Sequence, residues 1–485
     1  MVFNSLVFLI FLAVVLSLYY RLKHRSQNIM LVIASYVFYG WWDWRFVGLL
    51  LFTTLFDYWC AMRLEAESEP ARKKWFLAFS MAMNLCVIGF FKYYNFFAGS
   101  FEQAMQSIGM KADLPTLHIL LPVGISFYTF LSMSYTIDVY RGHLQAVRKP
   151  LDFMLYVSFF PHLVAGPIIR AKDLLPQCRN PRVPNQDQII NGIWLCLLGY
   201  FKKVVIADRL SPLVDWGFSS GHAPFHDGTS WLVLYAFAFQ IYGDFSGYSD
   251  IARGLARLMG FEFVHNFKAP YLSRNPAEFW RNWHISLSVW LRDYLYIPLG
   301  GNRHGTLSTF RNLMVTMILG GLWHGAGLAY LAWGLFHGIL LVVHRAWTSL
   351  WRSEGANGVA ASPPVISRKL LSHLKHALVV ILFFHITCVG WLLFRAGSCP
   401  AGFSQRGIIA SYLETLWAIP TSWSGFMWPV LLLGSLAMLL QWKHAAMDSF
   451  AQWRTHRQTF AVAAVLTGIA SLGVFEGSSF IYFQF

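Results

Sequence analysis

Residues 320–327 read GGLWHGAG and close the apolar run NLMVTMILGGLWHGAG. His324 therefore stands beside Trp323 and among Gly320, Gly321, Gly325 and Gly327, where its neighbours read as membrane. An imidazole can take up and return a proton near neutral pH. In hydrocarbon it costs free energy unless it is hydrogen-bonded or lines a wet cavity. His324 is thus either a structural residue or part of the wall of a functional cavity. The Gly321 to Gly325 spacing is also an ordinary helix-packing device, so this motif alone does not choose between the two.

A second chemistry-bearing stretch is NFKAPYLSRNPAEFWRNWHISLSVWLRDYLYIPLGGNRHG, residues 266–305. Read as one helix over Phe279–Ile297, it puts Arg281, His284, Ser288 and Arg292 at steps of three, four and four, on one face. Asp293 and Glu278 are candidate partners for Arg281 and Arg292. Trp280, Trp283, Leu287, Trp290, Leu291 and Tyr294 cover much of the remainder. The pattern predicts a helix at membrane depth whose polar stripe lines a cavity, or a helix lying along the headgroups. Upstream, QIYGDFSGYSDIARG places Asp244, Ser246, Ser249 and Asp250 directly after a span. In FFPHLVAGPI, Pro161, Gly166 and Pro167 break the segment that carries His162. That segment is expected to dip in and return, with His162 a candidate for the same cavity. His337 and His344 are expected to pack. His373 and His376 lack a third ligand, so no metal site is expected.

The elements that must hold these residues are membrane helices. The chain has 485 residues, 56% hydrophobic and 13% charged, against about 25% charged in an average soluble domain. Apolar runs of spanning or near-spanning length recur from residue 2 to about 475. No polar stretch is long enough for a soluble domain, and no internal repeat, phosphate-binding P-loop or G-x-S-x-G elbow is present. The formal charge of +15 is assigned to cytoplasmic loops against the membrane surface rather than to nucleic-acid binding. The first run lacks a basic start and a cleavage site, and RLKHR follows it. It reads as an uncleaved span with the N-terminus outside and Arg21–Arg25 in the cytoplasm. The basic stretches ARKK (71–74) and RGHLQAVRKP (141–150) alternate in agreement. Cys60, Cys86, Cys178, Cys196, Cys388 and Cys399 form no C-x-x-C pair, so neither a disulfide framework nor a zinc site is implied.

Five segments in order, LLPVGISFYTFLSMSYTIDVYRG (120–142), FFPHLVAGPIIR (159–170), QIYGDFSGYSDIA (240–252), FWRNWHISLSVWLRDYLYIPLGGNR (279–303) and LGGLWHGAG (319–327), resemble the membrane-bound O-acyltransferases (MBOAT family). Within that family the likeness is to the bacterial alginate O-acetyltransferase membrane subunit and its cellulose-acetylating relatives. It runs from the N-terminus to about 345 and weakens to 396. The resemblance implies an all-α polytopic membrane fold, a ring of about 11–13 tilted transmembrane helices with re-entrant helices around a central tunnel. The whole chain, 1–485, is expected to be a single membrane domain. Its catalytic core would occupy about 115–347, with N-terminal spans over 1–114 and C-terminal spans over 371–485.

The resemblance further implies that His324 is the catalytic histidine and that His284 is the second site position. Acyl transfer from a thioester needs a base near neutral pKa, which His324 can supply. His284 would orient it, hold the acceptor or polarise the thioester carbonyl. Trp323, Arg281, Ser288, Arg292, Asp293, His162 and Asp244 are candidates for lining the tunnel or meeting substrate. No bound cofactor or metal is expected, and acetyl-CoA is the expected donor substrate, arriving from the cytoplasm. With no hydrolase-like domain in the chain, the resemblance implies hand-over to an extracytoplasmic SGNH-hydrolase-like acetyltransferase of a polysaccharide biosynthesis complex, at a bacterial inner membrane. Two other readings compete. One keeps the chemistry and changes the acceptor to peptidoglycan, teichoic acid or a lipid. The other is a polysaccharide or solute transporter without covalent chemistry, which would not need His324 as a proton acceptor.

Overall fold

The computed structural model describes the chain except residues 112–113, 118, 220–229, 355–365, 400–403, 418–426, 444–446, 476–479 and 482–485. Helix is its only regular element; no strand occurs among the described residues. In chain order the helices are α1 (Leu6–Tyr19), α2 (His24–Gly40), α3 (Arg45–Ala66), α4 (Pro70–Ile88), α5 (Tyr94–Ser107), α6 (Ile125–Tyr140), α7 (Pro150–Ser158), α8 (Phe160–Leu163), α9 (Ala171–Arg179) and α10 (Gln186–Phe201). They continue as α11 (Asp208–Ser219), α12 (Ser230–Leu258), α13 (Pro276–Asn282), α14 (Ile285–Leu291), α15 (Gly305–His324), α16 (Leu328–Glu354), α17 (Ile366–Ala396), α18 (Gln405–Thr415), α19 (Met427–Trp442) and α20 (Thr455–Leu472). Their starts follow from local chemistry. Ser5 caps α1 by accepting from the Phe8 N–H at 3.2 Å. Pro70 and Pro150 open α4 and α7, where the missing N–H is no loss.

Five described segments are long and apolar enough to cross a bilayer: Arg45–Ala66, Pro70–Ser107, Gln186–Ser219, Leu328–Leu350 and Leu371–Ala396. The shortest has 22 residues, about 33 Å at about 1.5 Å per residue, against a hydrocarbon core of about 30 Å. Leu6–Tyr19 and Met427–Trp442 are apolar but shorter. The segment carrying His162 is broken as its prolines predict: α7 ends at Ser158, the four-residue α8 follows, and irregular backbone runs on to Arg170.

The chain divides into two compact units. The first comprises Met1–Tyr200, Gly247–Val264 and Phe450–Leu466. Its α3, α4 and α6 bury a polar cluster in which Asp57 accepts from Ser80 Oγ at 2.6 Å and from Asn84 Nδ2 at 2.9 Å. Hydrogen bonds of this kind are what make a fully buried carboxyl tolerable. Arg182 gathers other parts of the same unit. It donates to Asn28 Oδ1 at 2.6 Å, to Tyr19 Oη at 3.1 Å and to the Gln177 carbonyl at 2.8 Å, and its guanidinium lies 4.3 Å from the Phe261 ring centre. Paired glycines let α10 approach the second half of α12 backbone to backbone. A Cβ on Gly199 would lie 2.5 Å from the Gly247 carbonyl oxygen, and one on Gly254 would lie 2.6 Å from that of Gly192.

The second unit comprises Phe201–Ser246, His265–Ser449 and Thr467–Phe485. Its central pair is α15 and α16, joined by the short GAG connection after His324. Gly321 and Gly334 stand at their crossing: a Cβ on either would overlap a carbonyl oxygen of the other helix, that of Tyr330 or of Met317. α17 packs against α16 and supplies Trp391 and Phe394 to the same core. The unit also buries an ion-pair triad, with Lys203 Nζ 2.8 Å from both Asp208 Oδ1 and Asp244 Oδ1. Asp244 Oδ2 accepts from the Ile481 N–H at 2.6 Å, which ties the late chain segment into the unit.

Candidate active site

The expected single helix over Phe279–Ile297 is not what forms. α13 ends at Asn282, α14 starts at Ile285, and His284 between them has φ 41°, in the left-handed region. Apart from Ala269 it is the only described non-glycine residue with positive φ. Such a conformation costs roughly 1–3 kcal/mol and persists only where the surroundings enforce it. Here the enforcing element is the 266–268 segment. The Asn266 carbonyl accepts from the Ile285 N–H at 2.9 Å, and the Lys268 N–H donates to the Asn282 carbonyl at 3.0 Å. Asn275 caps α13 through the Glu278 N–H at 2.9 Å, and Pro276 follows at its first turn. These local signals start a helix that the Asn266 contacts then interrupt. After α14 the chain continues as a π-turn over Arg292–Tyr296.

The break dissolves the predicted stripe. His284 is buried, while Arg281 and Arg292 are exposed and Ser288 is half-buried. Arg281 donates to the Ala277 carbonyl at 3.0 Å, and Ser288 Oγ to the Trp283 carbonyl at 3.2 Å. Arg292 pairs with its neighbour Asp293 at 2.6 Å. Glu278 pairs with Arg274 at 3.1 Å rather than with Arg281. Asp244 belongs to the lysine triad. His162 lies in the first unit, where its Nε2 donates to the Tyr156 carbonyl at 3.1 Å and its ring packs edge-on against Phe263.

His284 and His324 come together around one indole. The Trp323 ring centre lies 6.3 Å from that of His284 and 4.8 Å from that of His324, both edge-on. Both imidazoles are nearly inaccessible, at 1% and 5% exposure. Phe245 meets His284 edge-on at 4.6 Å. Trp333 of α16 and Phe394 of α17 meet His324 edge-on at 5.0 and 5.1 Å. Beyond Trp333 the aromatic wall continues through His337, at 4.9 Å, and Trp280. His337 packs as the sequence predicts, and His344 is half-exposed. The indole N–H groups of Trp280, Trp333 and Trp391 have no hydrogen-bond partner among the described residues. They are donors in an otherwise apolar wall.

The protonation of His284 follows from its partner. Asn266 Oδ1 lies 3.1 Å from His284 Nδ1, 2.8 Å from Ser286 Oγ and 3.3 Å from the Ser286 backbone nitrogen. A backbone N–H can only donate, so the facing amide atom is the oxygen, and an oxygen can only accept. Nδ1 therefore carries the proton and Nε2 the lone pair. His284 stands between two seven-residue helices, outside any spanning segment. Burial pushes its imidazole down to about 3, so the ring is neutral at ordinary pH. Asn266, Trp333, Trp391 and Phe394 were not singled out from the sequence. Asn266 precedes His284 by eighteen positions in an irregular segment, and its one legible signal is a polar residue in an aromatic run. No group of three or more His, Cys, Asp or Glu side chains that could hold a metal occurs among the described residues.

The family profile of the membrane-bound O-acyltransferases matches residues 29–369, which include both histidines and Asn266. The chain belongs to that family. Its relatives sharpen the placement among membrane-bound O-acyltransferases. It is 47% identical over 415 residues to a protein of Pseudomonas aeruginosa named probable alginate O-acetylase AlgI, covering 85% of this chain and 75% of that one. It is 45% identical to the protein of the same name from Azotobacter vinelandii, with 85% and 78% covered. It is also 34% identical to the peptidoglycan O-acetyltransferase of Helicobacter pylori, with 82% and 77% covered. As a membrane-bound O-acyltransferase the chain is a multi-pass membrane enzyme that transfers acyl groups to oxygen.

Proposed function

We propose that this chain is an inner-membrane O-acetyltransferase that takes acetyl groups from acetyl-CoA on the cytoplasmic side. It hands them to an extracytoplasmic hydrolase-like partner for O-acetylation of an exopolysaccharide. The observation that carries the reading is the pair of buried imidazoles around Trp323, in a chain 43–47% identical to proteins named for alginate O-acetylation. Alginate is the polymer those names favour. The relative named for peptidoglycan is less similar, at 34%.

In the proposed chemistry, an imidazole nitrogen of His324 takes the proton of the acceptor hydroxyl as that oxygen attacks the thioester carbonyl. The C–S bond breaks, and the imidazolium returns its proton to the departing thiolate. The products are an acetyl ester and free thiol, with the base restored. His284, with its lone pair on Nε2, is suited to accept a hydrogen bond from the incoming hydroxyl and so to orient it. The indole N–H groups of the wall are donors suited to an oxygen that gains charge during attack. The surrounding rings exclude water that would hydrolyse the thioester. The basic stretches at Arg21–Arg25, Arg72–Lys74 and Arg141–Lys149 support a cytoplasmic placement of those loops and an N-terminus outside.

The test uses sealed inverted membrane vesicles that carry this chain, with the partner and polymer inside and labelled acetyl-CoA outside. Label is expected on the partner first and on the polymer later. The His324→Ala variant, inserted at normal level, should transfer none. Transfer by that variant at a tenth or more of the normal rate would remove the base assignment and favour a transporter. Transfer only when donor is supplied on the luminal side would reverse the orientation. Polymer acetylated at a comparable rate without the partner would end the hand-over.

A further inference from the structure

The first unit holds a hollow of about 510 Å³ that the acyl-transfer reading does not use. It is lined by His24 and Arg25 at the start of α2, by Arg148 and Lys149 before α7, by Asp152 in the first turn of α7, and by Arg179 at the end of α9. The Arg148 guanidinium is already paired with Glu65 at 2.6 Å. Arg25, Lys149 and Arg179 form no ion pair with any described residue, and Asp152 is the one carboxylate in the lining. Three cations without an ion pair outnumber that single carboxylate around one concavity, and the concave wall concentrates their net positive field.

The backbone adds to that field. Residues of the first turns of both α2 and α7 line the hollow, and neither helix has a side-chain cap at its N-terminus. Uncapped helix N-termini present the positive end of the peptide dipoles, which favours a bound anion; α7 contributes few N–H groups, because Pro150 has none and the Asp152 N–H donates to the Lys149 carbonyl at 3.1 Å. The hollow is within the range of small-ligand sites, about 300–1,000 Å³. That is far more than a single chloride needs. Arginines and a lysine converging on such a space match the oxygens of phosphate groups, arginine by its planar fork and lysine as a point charge.

We propose that this hollow is a binding site for a phosphate-bearing anion of diphosphate or nucleotide size, held by Arg25, Lys149 and Arg179. The phosphates come from one of two sources, a soluble diphosphate or nucleotide, or the headgroup of an anionic membrane lipid. The proposal does not depend on the acyl-transfer reading and is tested without turnover.

The full-length chain is placed in nanodiscs of pure phosphatidylcholine, and binding of inorganic pyrophosphate and of guanosine diphosphate is measured by calorimetry. Either probe should bind, more weakly as salt rises. The R25Q/K149Q/R179Q variant should bind at least tenfold more weakly. All three side chains are exposed, so the variant should melt near the wild-type temperature. K172Q, which removes a nearby exposed charge outside the lining, should leave binding unchanged. In a second arm, discs contain one-third phosphatidylglycerol, and retained lipid is counted by native mass spectrometry. A lipid-headgroup site retains fewer phosphatidylglycerol molecules in the triple variant, and the lipid weakens pyrophosphate binding to wild type. A soluble-anion site shows neither effect. The proposal is overturned if the triple variant matches wild type in both arms, or if K172Q weakens binding as much as the triple variant does.

Discussion

Asn266 is the residue whose loss should most cleanly separate the orientation of His284 from its presence. Asn266→Ala removes one oxygen that accepts from His284 Nδ1, Ser286 Oγ and the Ser286 N–H. A buried donor left without an acceptor costs about 1–3 kcal/mol. The Ser286 hydroxyl can rotate to another acceptor, but the imidazole loses the oxygen that favours its proton on Nδ1. If that whole cost falls on the transition state, kcat/KM drops about 5- to 150-fold, since each 1.4 kcal/mol is about tenfold. The assay is acetyl transfer from labelled donor to the partner in reconstituted membranes, with the KM for donor expected to stay near wild type. A positioning role demands a further result: Asn266→Ala should cost nothing more when made in the His284→Ala background. Asn266→Asp adds an independent signature. A carboxylate beside Nδ1 favours the imidazolium, so the folded ring's pKa rises above its wild-type value of about 3. The Nε2 lone pair is then lost at low pH, and activity should recover as pH increases through the new pKa. The wild type should show no such limb from this ring. Full activity in a folded Asn266→Ala protein would refute the reasoning. So would an equal further loss when the change is added to His284→Ala.

The lysine triad of the second unit should behave as a unit. Lys203→Met removes the cation that pairs with two buried carboxylates, Asp208 and Asp244, and removing one partner of a buried pair typically costs about 3–5 kcal/mol. The variant should lose its monodisperse form after solubilisation. The neutral K203M/D208N/D244N combination should regain it, as size-exclusion profiles would show, and failure of that rescue would show that more than charge is at stake. At the α15–α16 crossing, Gly334→Ala puts a Cβ into the Met317 carbonyl and 3.0 Å from the Ile318 Cα. Overpacking of this kind costs about 1–3 kcal/mol and should lower the melting temperature in detergent. It should also slow transfer, because α15 carries His324 and α16 carries Trp333. An unchanged melting temperature and rate would show that the two helices can part freely.

Much of this protein is legible along the chain, because a bilayer admits few solutions. Backbone groups in hydrocarbon must be paired in a helix or a closed barrel, and a continuous apolar run as long as Leu371–Ala396, 26 residues, far exceeds a barrel strand and so becomes a helix. Pro161, Gly166 and Pro167 forbid a regular span around His162, and none forms. His324 and His284 stand out because imidazoles are costly among apolar residues. The break at His284 was not legible. Residues 279–297 have good helical spacing, and Asn275 with Pro276 starts a helix as local rules require. What overrides that preference is a set of non-local hydrogen bonds from Asn266 and Lys268, which force His284 to φ 41° and turn the supposed stripe apart. The ion pair of Asp244 was illegible for a similar reason: sequence shows a carboxylate after a span but not the Lys203 that pairs with it. Periodicity reports what each residue would do on an isolated helix. Which charges pair, which histidine is pinned in one tautomer, and that Trp323 meets both imidazoles are set by contacts between segments distant in sequence. Those are decided only when the chain is packed.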